Sequence, residues 1–340
     1  MASLFRRQSG FADIAAGTNS IGVGGLPSYV ASRSLLVFTL RGGDQRPDGS
    51  LVRGQKNGAN SLLFTRNASP ANSITIDWEL YEFDAGVQIQ DINFTGNGST
   101  GITAVTQARS FIVSSGYSVT GGVQSDEDTV RFSFASSISV SHTTSGVNAI
   151  GTLQVVDYPN CNVQSFLKSV ASGTSWDQGI TPVIMNRTLL WASMFYGGGA
   201  AELQFNVVFR IELQASGNVR GNRSVASVTN HDITVFVCQF LDWAVQRGAQ
   251  SQSGGTSLTD VLIDSVNIDR SMSKTVSEMG AGHSYCESTA TSDAFDEVSY
   301  KAFLIDATHL RLQRSNSTPS NVVSWEVAEH LDYDDIMPLF

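Results

Sequence analysis

The stretch "ITIDWELYEF" at positions 74–83 is the starting point for predicting this fold. From Ile74 to Leu80 its apolar residues alternate with polar ones, which is the period of a half-buried strand. Glu82 then falls on the apolar face, and Phe83 follows it. A carboxylate at the end of a buried face needs hydrogen-bond donors, because burying it alone costs several kcal/mol.

The same ending recurs as "LQVVDY" (153–158), "CQFLDW" (238–243) and "WEVAEH" (325–330). The first positions of the four copies are 75, 85 and 87 residues apart. A regular spacing of this kind indicates tandem structural units. The acid-aromatic motif consists of Trp78, Glu82, Phe83, Asp157, Tyr158, Asp242, Trp243, Trp325 and Glu329.

Other pieces recur in the same order. A base, a hydroxyl residue and an apolar residue stand upstream, in "RSL" (33–35), "RSF" (109–111), "RTL" (187–189) and "KTV" (274–276). A strand-like segment with one base follows, and the bases are Arg53, Arg131, Arg210 and Lys301. Another alternating segment comes next, at 61–67, 137–143, 223–229 and 309–315, and "VQ" opens later units at 87–88, 163–164 and 245–246. We therefore predict units at 4–83, 84–158, 159–243 and 244–330, with a tail at 331–340.

Each predicted unit holds several short period-2 segments separated by turns rich in Gly and Asn. Regularly spaced short strands favour antiparallel sandwiches. We therefore expect an all-β chain of four tandem small antiparallel β-sandwich units with no substantial helices. So small a domain is marginal alone, so the units should pack on each other or on other copies. We expect an elongated or arched subunit.

The repeated acids suggest one acid–base clamp per unit, closing one end of the sandwich. Their partners would be either the strand-borne bases Arg53, Arg131, Arg210 and Lys301, or the basic residue of the upstream motif. A catalytic or metal-binding role is the alternative. It is disfavoured because an active site need not be copied four times in step with the core.

The net charge is 21 − 31 = −10, and charged residues make up only 15% of the chain. An acidic chain lacks the basic patch that nucleic acid requires, and it does not suit an anionic membrane surface. No apolar run approaches the roughly 20 residues that span a bilayer, and the N-terminus lacks the apolar core of a signal peptide. We expect synthesis in a host cytoplasm, no membrane insertion and no nucleic-acid partner.

Catalytic signatures are absent from the sequence. It contains no GxSxG with triad partners, no HExxH, no P-loop and no GxGxxG after a strand. Its five histidines are scattered, and a single histidine per unit makes no metal site. The three cysteines do not form a disulfide framework. We predict no enzymatic activity, no cofactor and no bound metal.

The tail "DYDDIMPLF" (332–340) places three aspartates ahead of an apolar end. The apolar residues are Ile336, Met337, Leu339 and Phe340. Terminal apolar residues are unusual unless they dock. Two interpretations stay open, a partner-docking peptide and packing on the protein's own last unit.

The repeated pattern resembles tandem repeats of tail- or neck-associated structural proteins of tailed bacteriophages. A single unit also resembles the H-type lectin fold, a six-stranded antiparallel sandwich, and Trp78, Glu82 and Phe83 match its last strand best. The second and third units depart from it, with Leu153 and Cys238 in place of Trp. H-type lectins are trimer-based and bind sugar at subunit edges, but no sugar-binding motif here carries over.

These observations predict a non-enzymatic virion structural protein, an oligomeric component attached to a tail, neck or capsid. Its partners would be copies of itself and other virion proteins. The alternative is a carbohydrate-binding adhesin that holds a host glycan. A glycan-degrading tail enzyme is a third hypothesis.

Overall fold

The computed structural model describes residues 4–42, 47–68, 71–119, 129–144, 149–171, 173–196, 209–223, 230–275, 287–288, 300–314, 317 and 320–331. Within these ranges the chain forms four antiparallel β-sandwiches, and the fold class predicted from the sequence is confirmed. The only α-helix in the described ranges is the single turn α1 (Pro47–Ser50). The described ranges also hold short 3-10 turns at Ala31–Arg33, Gln107–Arg109, Met185–Arg187 and Ile268–Arg270.

The strands follow in chain order. The first sandwich contains β1 (Leu4–Ile14), β2 (Ser20–Val23), β3 (Ser34–Gly42), β4 (Arg53–Lys56), β5 (Leu62–Thr65) and β6 (Ile74–Phe83). The second contains β7 (Gln88–Thr95), β8 (Gly98–Gly101), β9 (Ser110–Ser118), β10 (Val130–Ser136), β11 (Ser139–Thr144) and β12 (Ile150–Asp157). The third contains β13 (Cys161–Val170), β14 (Ser175–Gly179), β15 (Thr188–Tyr196), β16 (Arg210–Ala215), β17 (Asn218–Asn222) and β18 (His231–Phe240). The fourth contains β19 (Trp243–Gln252), β20 (Leu258–Leu262), β21 (Ser271–Thr275), β22 (Glu287–Ser288), β23 (Lys301–Asp306), β24 (His309–Gln313) and β25 (Asn321–His330).

All four sandwiches share one topology. We call the six main strands of each sandwich a to f in chain order; β22 is an extra short strand that pairs with β25. Strands a, f and c form one sheet with f in the centre, as in β1-β6-β3 and β13-β18-β15. Strands b, e and d form the facing sheet, with e in the centre. The turn-and-strand pattern of the sequence is therefore repeated as a complete supersecondary unit.

The f strands change character along their length. In β6 the burial alternates at first and is continuous from Trp78 to Phe83. Trp78 and Leu80 belong to the core of the first sandwich. Tyr81 and Phe83 belong to a second cluster that also includes residues of the other sandwiches. The second half of the strand is therefore buried on both faces, because its outer face packs against another sandwich.

Contacts between sheets also join successive sandwiches, and we call these contacts seams. Strand d lies beside strand c of the next sandwich at the first two seams and beside strand f at the third. Arg53 of β4 pairs with Gly116 of β9. Gly116 has φ of 77°, and a Cβ there would lie 2.1 Å from the carbonyl oxygen of Val52. A residue with a side chain would therefore force this first seam apart. At the next seam the Phe132 N–H of β10 donates to Ser193 Oγ of β15 at 2.9 Å.

The fourth sandwich also contacts the first, so the chain closes into a ring. Arg7 donates to the carbonyl of Ile268 at 3.2 Å, and the Tyr81 hydroxyl donates to the carbonyl of Ser271 at 3.2 Å. The Lys301 ammonium also pairs with Asp77. The expectation of an elongated or arched subunit is wrong. An open arrangement would leave the outer face of the first sandwich's a-f-c sheet in water.

Aromatic side chains from the ends of the first three f strands meet Trp243, the first residue of β19, at the centre of the ring of sandwiches. Ring centroids lie 5.6 Å apart for Phe83 and Tyr158, 5.2 Å for Tyr158 and Phe240, and 5.8 Å for Phe240 and Trp243. Trp243 also approaches Phe83 at 6.4 Å, which closes the circle. The two contacts of Tyr158 are edge-to-face, a geometry that suits aromatic quadrupoles. These rings line a small apolar cavity of about 20 Å³, so the centre is packed and is no channel.

Candidate functional site

The repeated polar motif serves one backbone residue in each sandwich, the residue just before the 3-10 turn. Its N–H donates to a side chain near the end of strand f at 2.8–3.0 Å, and its C=O accepts from the first hydroxyl of strand c at 2.7–2.8 Å. The backbone residues are Val30, Thr106, Ile184 and Asn267. The strand-f acceptors are Glu82, Asp157, Gln239 and Glu329, and the donating hydroxyls belong to Ser34, Ser110, Thr188 and Ser271. These side chains satisfy backbone groups that the turn leaves without partners.

An arginine closes each 3-10 turn. In three sandwiches it pairs with the strand-f acid, in the pairs Arg33–Glu82 at 3.4 Å, Arg109–Asp157 at 2.5 Å and Arg270–Glu329 at 3.5 Å. In the third sandwich Arg187 donates to the carbonyl of Leu241 at 2.7 Å. Of the two clamp partners considered from the sequence, the structure therefore selects the upstream motif.

Two of the motif copies identified in the sequence are displaced. Strand pairing places Thr188 opposite Gln239, as Ser34 lies opposite Glu82. Asp242 is thus not the equivalent of Glu82, and Trp243 begins strand a of the fourth sandwich. "CQFLDW" imitates the motif because Asp242, which follows β18, stands directly before the aromatic Trp243 that begins β19.

In the fourth sandwich the upstream motif is likewise displaced. Pairing places Ser271 opposite Glu329, so the motif is "RSM" at 270–272 and not "KTV" at 274–276. Lys274 lies farther along the same strand and has a different partner, Glu326.

The strand-borne bases Arg53, Arg131, Arg210 and Lys301 do not contact the motif acids. They stand at the start of strand d, and three of them reach strand f of the following sandwich. Arg53 donates to Thr152 Oγ1 at 2.9 Å, Arg210 donates to Ser324 Oγ at 3.1 Å, and Lys301 pairs with Asp77. Arg131 donates to Thr143 of its own sandwich at 3.5 Å. Three of the four repeated bases therefore join neighbouring sandwiches, and none of the four forms the predicted clamp.

A glutamine on strand a is a repeated element that the sequence located only in part. The side-chain amides of Gln90, Gln164 and Gln246 each bind one residue of the b–c connection. Each amide donates to the C=O of that residue and accepts from its N–H, with donor–acceptor distances of 2.7–2.9 Å. Gln8 makes one such bond, to Pro27. The "VQ" pattern contains Gln164 and Gln246, but it points to Gln88 in place of Gln90. Strand pairing identifies the correct residue, because each glutamine lies opposite the residue two positions before the strand-f acceptor.

A polar cluster lies beside the central aromatic rings. Asp242, which is 1% exposed, accepts from the Tyr158 hydroxyl at 3.0 Å and from Asn160 Nδ2 at 2.8 Å. His330 Nε2 lies 3.8 Å from the same carboxylate, and the Trp243 indole donates to Tyr158 at 3.1 Å. Burial raises the pKa of the Asp242 carboxyl, and its hydrogen bonds and His330 oppose this shift. Asp242 and His330 are 1% and 2% exposed, so the cluster is enclosed.

The described residues form a groove at each of two seams. One of about 270 Å³ lies between the fourth and first sandwiches and is lined in part by Asp77, Lys301 and Phe303. Phe11 borders it and is 73% exposed. Burial, assisted by Arg41 and opposed by Asp13, lowers the pKa of Lys301 to about 8. The other groove, of about 300 Å³, lies between the third and fourth sandwiches, along strand d of one and strands a and f of the other.

The other residues weighed in the sequence have structural contacts or lie outside the described ranges. No group of three metal-ligating side chains occurs among the described residues. Cys161 and Cys238 are buried free thiols. His142 contacts the carbonyl of Gly96 at 2.7 Å. Cys286, His283 and the tail residues Ile336, Met337, Leu339 and Phe340 lie outside the described residues.

No family model matches the chain, and no curated protein matches it. In the described part of the chain, none of the helices has the length and apolar character needed to cross a bilayer.

Proposed function

We propose that this chain is a non-enzymatic structural protein of a virion, a ring-shaped component attached to the tail, neck or capsid of a tailed bacteriophage. The observation that carries the proposal is how the repeated polar residues are used. Glu82, Asp157, Gln239 and Glu329 all bind the backbone of their own 3-10 turn. An active site needs polar groups that converge on an accessible pocket, whereas these residues are distributed around a ring as structural supports.

The ring itself supports an architectural role. Four similar sandwiches in a ring repeat similar surfaces around it, and such a repeat suits a partner that is itself a symmetric assembly. Its partners would be copies of itself and other virion proteins, assembled in the host cytoplasm. The resemblance to phage tail- and neck-associated repeats supports the same class of partner.

Purified particles provide the test. We expect quantitative mass spectrometry to find the chain in particles at a fixed copy number, and labelled antibodies to place it at one position by electron microscopy. A chain abundant in infected cells but missing from particles would contradict a virion role.

A glycan-binding adhesin is a second candidate, favoured by the groove between the fourth and first sandwiches. There the exposed ring of Phe11 stands beside Asp77 and Lys301, a combination that can stack on a sugar and bond its hydroxyls. Glycan-array binding should be lost in Phe11→Ser. Leu262→Ser is a matched control, because Leu262 is 75% exposed in the fourth sandwich and does not line that groove. Equal loss in both variants, or no binding to any glycan, would exclude this site.

A further inference from the structure

We infer that the groove between the fourth and first sandwiches binds a sugar that carries a carboxylate. In this arrangement Arg41 holds the carboxylate, Asp13 accepts from the hydroxyl groups, and Phe11 stacks on the apolar face of the sugar ring. We call these three side chains the sugar site. The inference rests on the glycan-binding candidate function and adds the chemical class of the ligand.

The sugar site occupies one face of one sheet. The even-numbered residues of β6 fill the core of the first sandwich, and side chains alternate between the two faces of a strand. Thr75 and Asp77 therefore lie on the outer face, where Asp77 lines the groove. Strand pairing sets Phe11 opposite Asp77, and it sets Asp13 and Arg41 on the two sides of Thr75. The sugar site thus begins in the groove and extends one row of residues beyond it.

Arg41 has no partner for its charge within the described ranges. Its Nε is buried without a hydrogen-bond partner, and none of the ion pairs among the described residues includes it. A half-buried guanidinium without an acceptor is unfavourable, because its lost hydration is not replaced. A carboxylate from a ligand would replace it, since the planar guanidinium matches a carboxylate through two parallel hydrogen bonds.

Lys301 shows that the charge of Arg41 reaches the groove. The Lys301 ammonium lines the groove and pairs with Asp77. Burial lowers the pKa of Lys301 to about 8, the positive charge of Arg41 lowers it further, and Asp13 opposes the shift. Arg41 and Lys301 are therefore close enough to repel each other. A carboxylate bound to Arg41 would offset this repulsion.

Asp13 and Arg41 are separated by a strand. Neighbouring strands lie about 4.8 Å apart, so the backbones of these two residues are about 10 Å apart on either side of β6. Asp13 is exposed, and none of the ion pairs in the described part of the chain includes it. A ligand between them meets donors on one side and an acceptor on the other. A sugar with both a carboxylate and hydroxyl groups matches this pair, whereas a doubly charged phosphate would be repelled more strongly by Asp13 and Asp77.

Phe11 supplies the apolar surface of the sugar site. Its ring is 73% exposed and borders the groove, and Phe303 lines the same groove from the fourth sandwich. Ligand sites typically combine aromatic surface with a few placed polar groups. The groove, of about 270 Å³, therefore offers a sugar ring both kinds of contact.

The groove between the third and fourth sandwiches lacks these side chains. Pairing with the strand-f residues places Ala249 at the position of Phe11 and Ser251 at the position of Asp13. Neither residue offers an aromatic face or a carboxylate. We therefore expect one acidic sugar per chain.

Titration calorimetry of the full chain with two matched sugars tests the inference. The probes are the trimer of galacturonic acid and the neutral trimer of galactose with the same linkage. We expect the acidic trimer to bind about tenfold or more tightly than the neutral one, the effect of hydrogen bonds between charged groups. Arg41→Gln should reduce the affinity for the acidic trimer to that for the neutral trimer. Asp13→Ala should weaken binding of the neutral trimer.

Two further variants serve as controls. Arg220→Gln removes one charge from an exposed pair with Asp177 in the third sandwich, and it should leave both affinities unchanged. Arg41→Lys keeps the charge without the planar guanidinium, so it should retain only part of the preference for the acidic trimer. Unchanged binding of the neutral trimer by Arg41→Gln shows that this variant is folded.

The pKa of Lys301 provides an independent measurement. The chain has four lysines, so NMR of the methylated amines can follow each one. A carboxylate at Arg41 should raise the pKa of Lys301 above its value of about 8, because it offsets the charge of Arg41. The neutral trimer should leave this pKa unchanged.

Three results would overturn the inference. Equal affinities for the two trimers, lost together in Phe11→Ser, would remove the acidic ligand and keep the glycan-binding candidate. A preference for the acidic trimer that Arg41→Gln retains would place the carboxylate elsewhere. Binding of neither trimer, and of no glycan on the array, would exclude both the sugar site and the glycan-binding candidate. The virion role is tested separately in purified particles.

Discussion

At two seams of the ring, different side chains bind the N–H and C=O groups of one buried residue on strand c. Between the first and second sandwiches, Gln154 accepts from the N–H of Leu36 at 2.9 Å and donates to its carbonyl at 2.6 Å. Between the third and fourth, Glu326 accepts from the N–H of Leu190 at 3.2 Å, and Lys274 donates to the Leu190 carbonyl. Lys274 and Glu326 also form an ion pair at 3.2 Å, and each is 1% exposed.

The requirement arises because strand c is the edge of its sheet. Half of its N–H and C=O groups face away from strand f, and burial against the next sandwich removes them from water. One amide side chain can satisfy both groups without a charge. An ion pair needs two buried side chains plus Arg247, which lies 3.3 Å from Glu326. The two seams should therefore differ in what happens when one partner is removed.

The largest expected effect is at the charged seam. Lys274→Met leaves the Glu326 carboxylate buried with less compensation, and we expect a loss of about 3 kcal/mol in the free energy of unfolding. Urea unfolding measures it. The double variant Lys274→Met with Glu326→Gln should recover most of the loss, because it copies the neutral seam. If the double variant is no more stable than Lys274→Met, the two seams are not interchangeable.

Gln154→Leu tests the neutral seam. It leaves the N–H and C=O of Leu36 buried without their partner, and we expect a loss of about 2 kcal/mol. Gln88→Leu is the control, because Gln88 is an exposed glutamine of the same sandwich. A difference in urea midpoint no larger than that of the control would show that Leu36 finds other partners.

The strand-f side chain that binds the backbone before the 3-10 turn is charged in the second sandwich and neutral in the third, so these two sandwiches can be compared in the same way. Asp157→Ala removes the acceptor of both Thr106 N–H and Arg109, and we expect a loss of about 2 kcal/mol. Gln239→Ala removes the acceptor of Ile184 N–H alone and should cost about 1 kcal/mol. If thermal or urea unfolding shows equal losses in the free energy of unfolding for the two variants, the ion pair of Arg109 adds nothing to stability.

The smallest expected effect is the pH dependence contributed by Asp242, which lies where the second, third and fourth sandwiches meet. Burial raises the pKa of its carboxyl in the folded chain, so folding favours the protonated form. Its stabilising contribution is complete below the unfolded pKa of about 3.9 and is lost as pH rises through the folded pKa. Asp242→Asn should therefore gain stability relative to the wild type as pH rises from 3 to 7. If the curves of unfolding free energy against pH are parallel for the wild type and Asp242→Asn, Asp242 makes no such contribution.

The sequence located the strands well and the equivalences between units less well. Residues 74–83 alternate in sequence and form β6 in the structure. Asp242 and Trp243 imitate the motif because an acid followed by an aromatic residue is only a two-residue signal, and it also occurs where β18 passes into β19. Pairing of Thr188 with Gln239 identifies the true equivalent, and a glutamine can replace an acid there because the shared requirement is an acceptor for one N–H.

The partners of the repeated bases were beyond sequence reasoning for a different reason. Arg53, Arg210 and Lys301 stand in register with the acids along the chain, which suggests a clamp within each unit. In the fold they extend across seams to Thr152, Ser324 and Asp77. Register along a chain specifies which face of a strand a side chain occupies, but it does not specify which neighbouring sheet that face meets.

The sequence by itself determined the local structure of this protein: period-2 alternation set the strands, turn residues set their ends, and repetition of the pattern set four similar sandwiches. Only the tertiary structure decided that these sandwiches close into a ring, that Phe83, Tyr158, Phe240 and Trp243 meet at its centre, and that Gln154 and Lys274 serve the backbone of another sandwich. The physical reason is the separation along the chain between the residues that decide each feature. Alternation depends on neighbours two residues away, whereas closure depends on burying the second face of every a-f-c sheet, and the face that covers the first sandwich lies nearly the whole chain away.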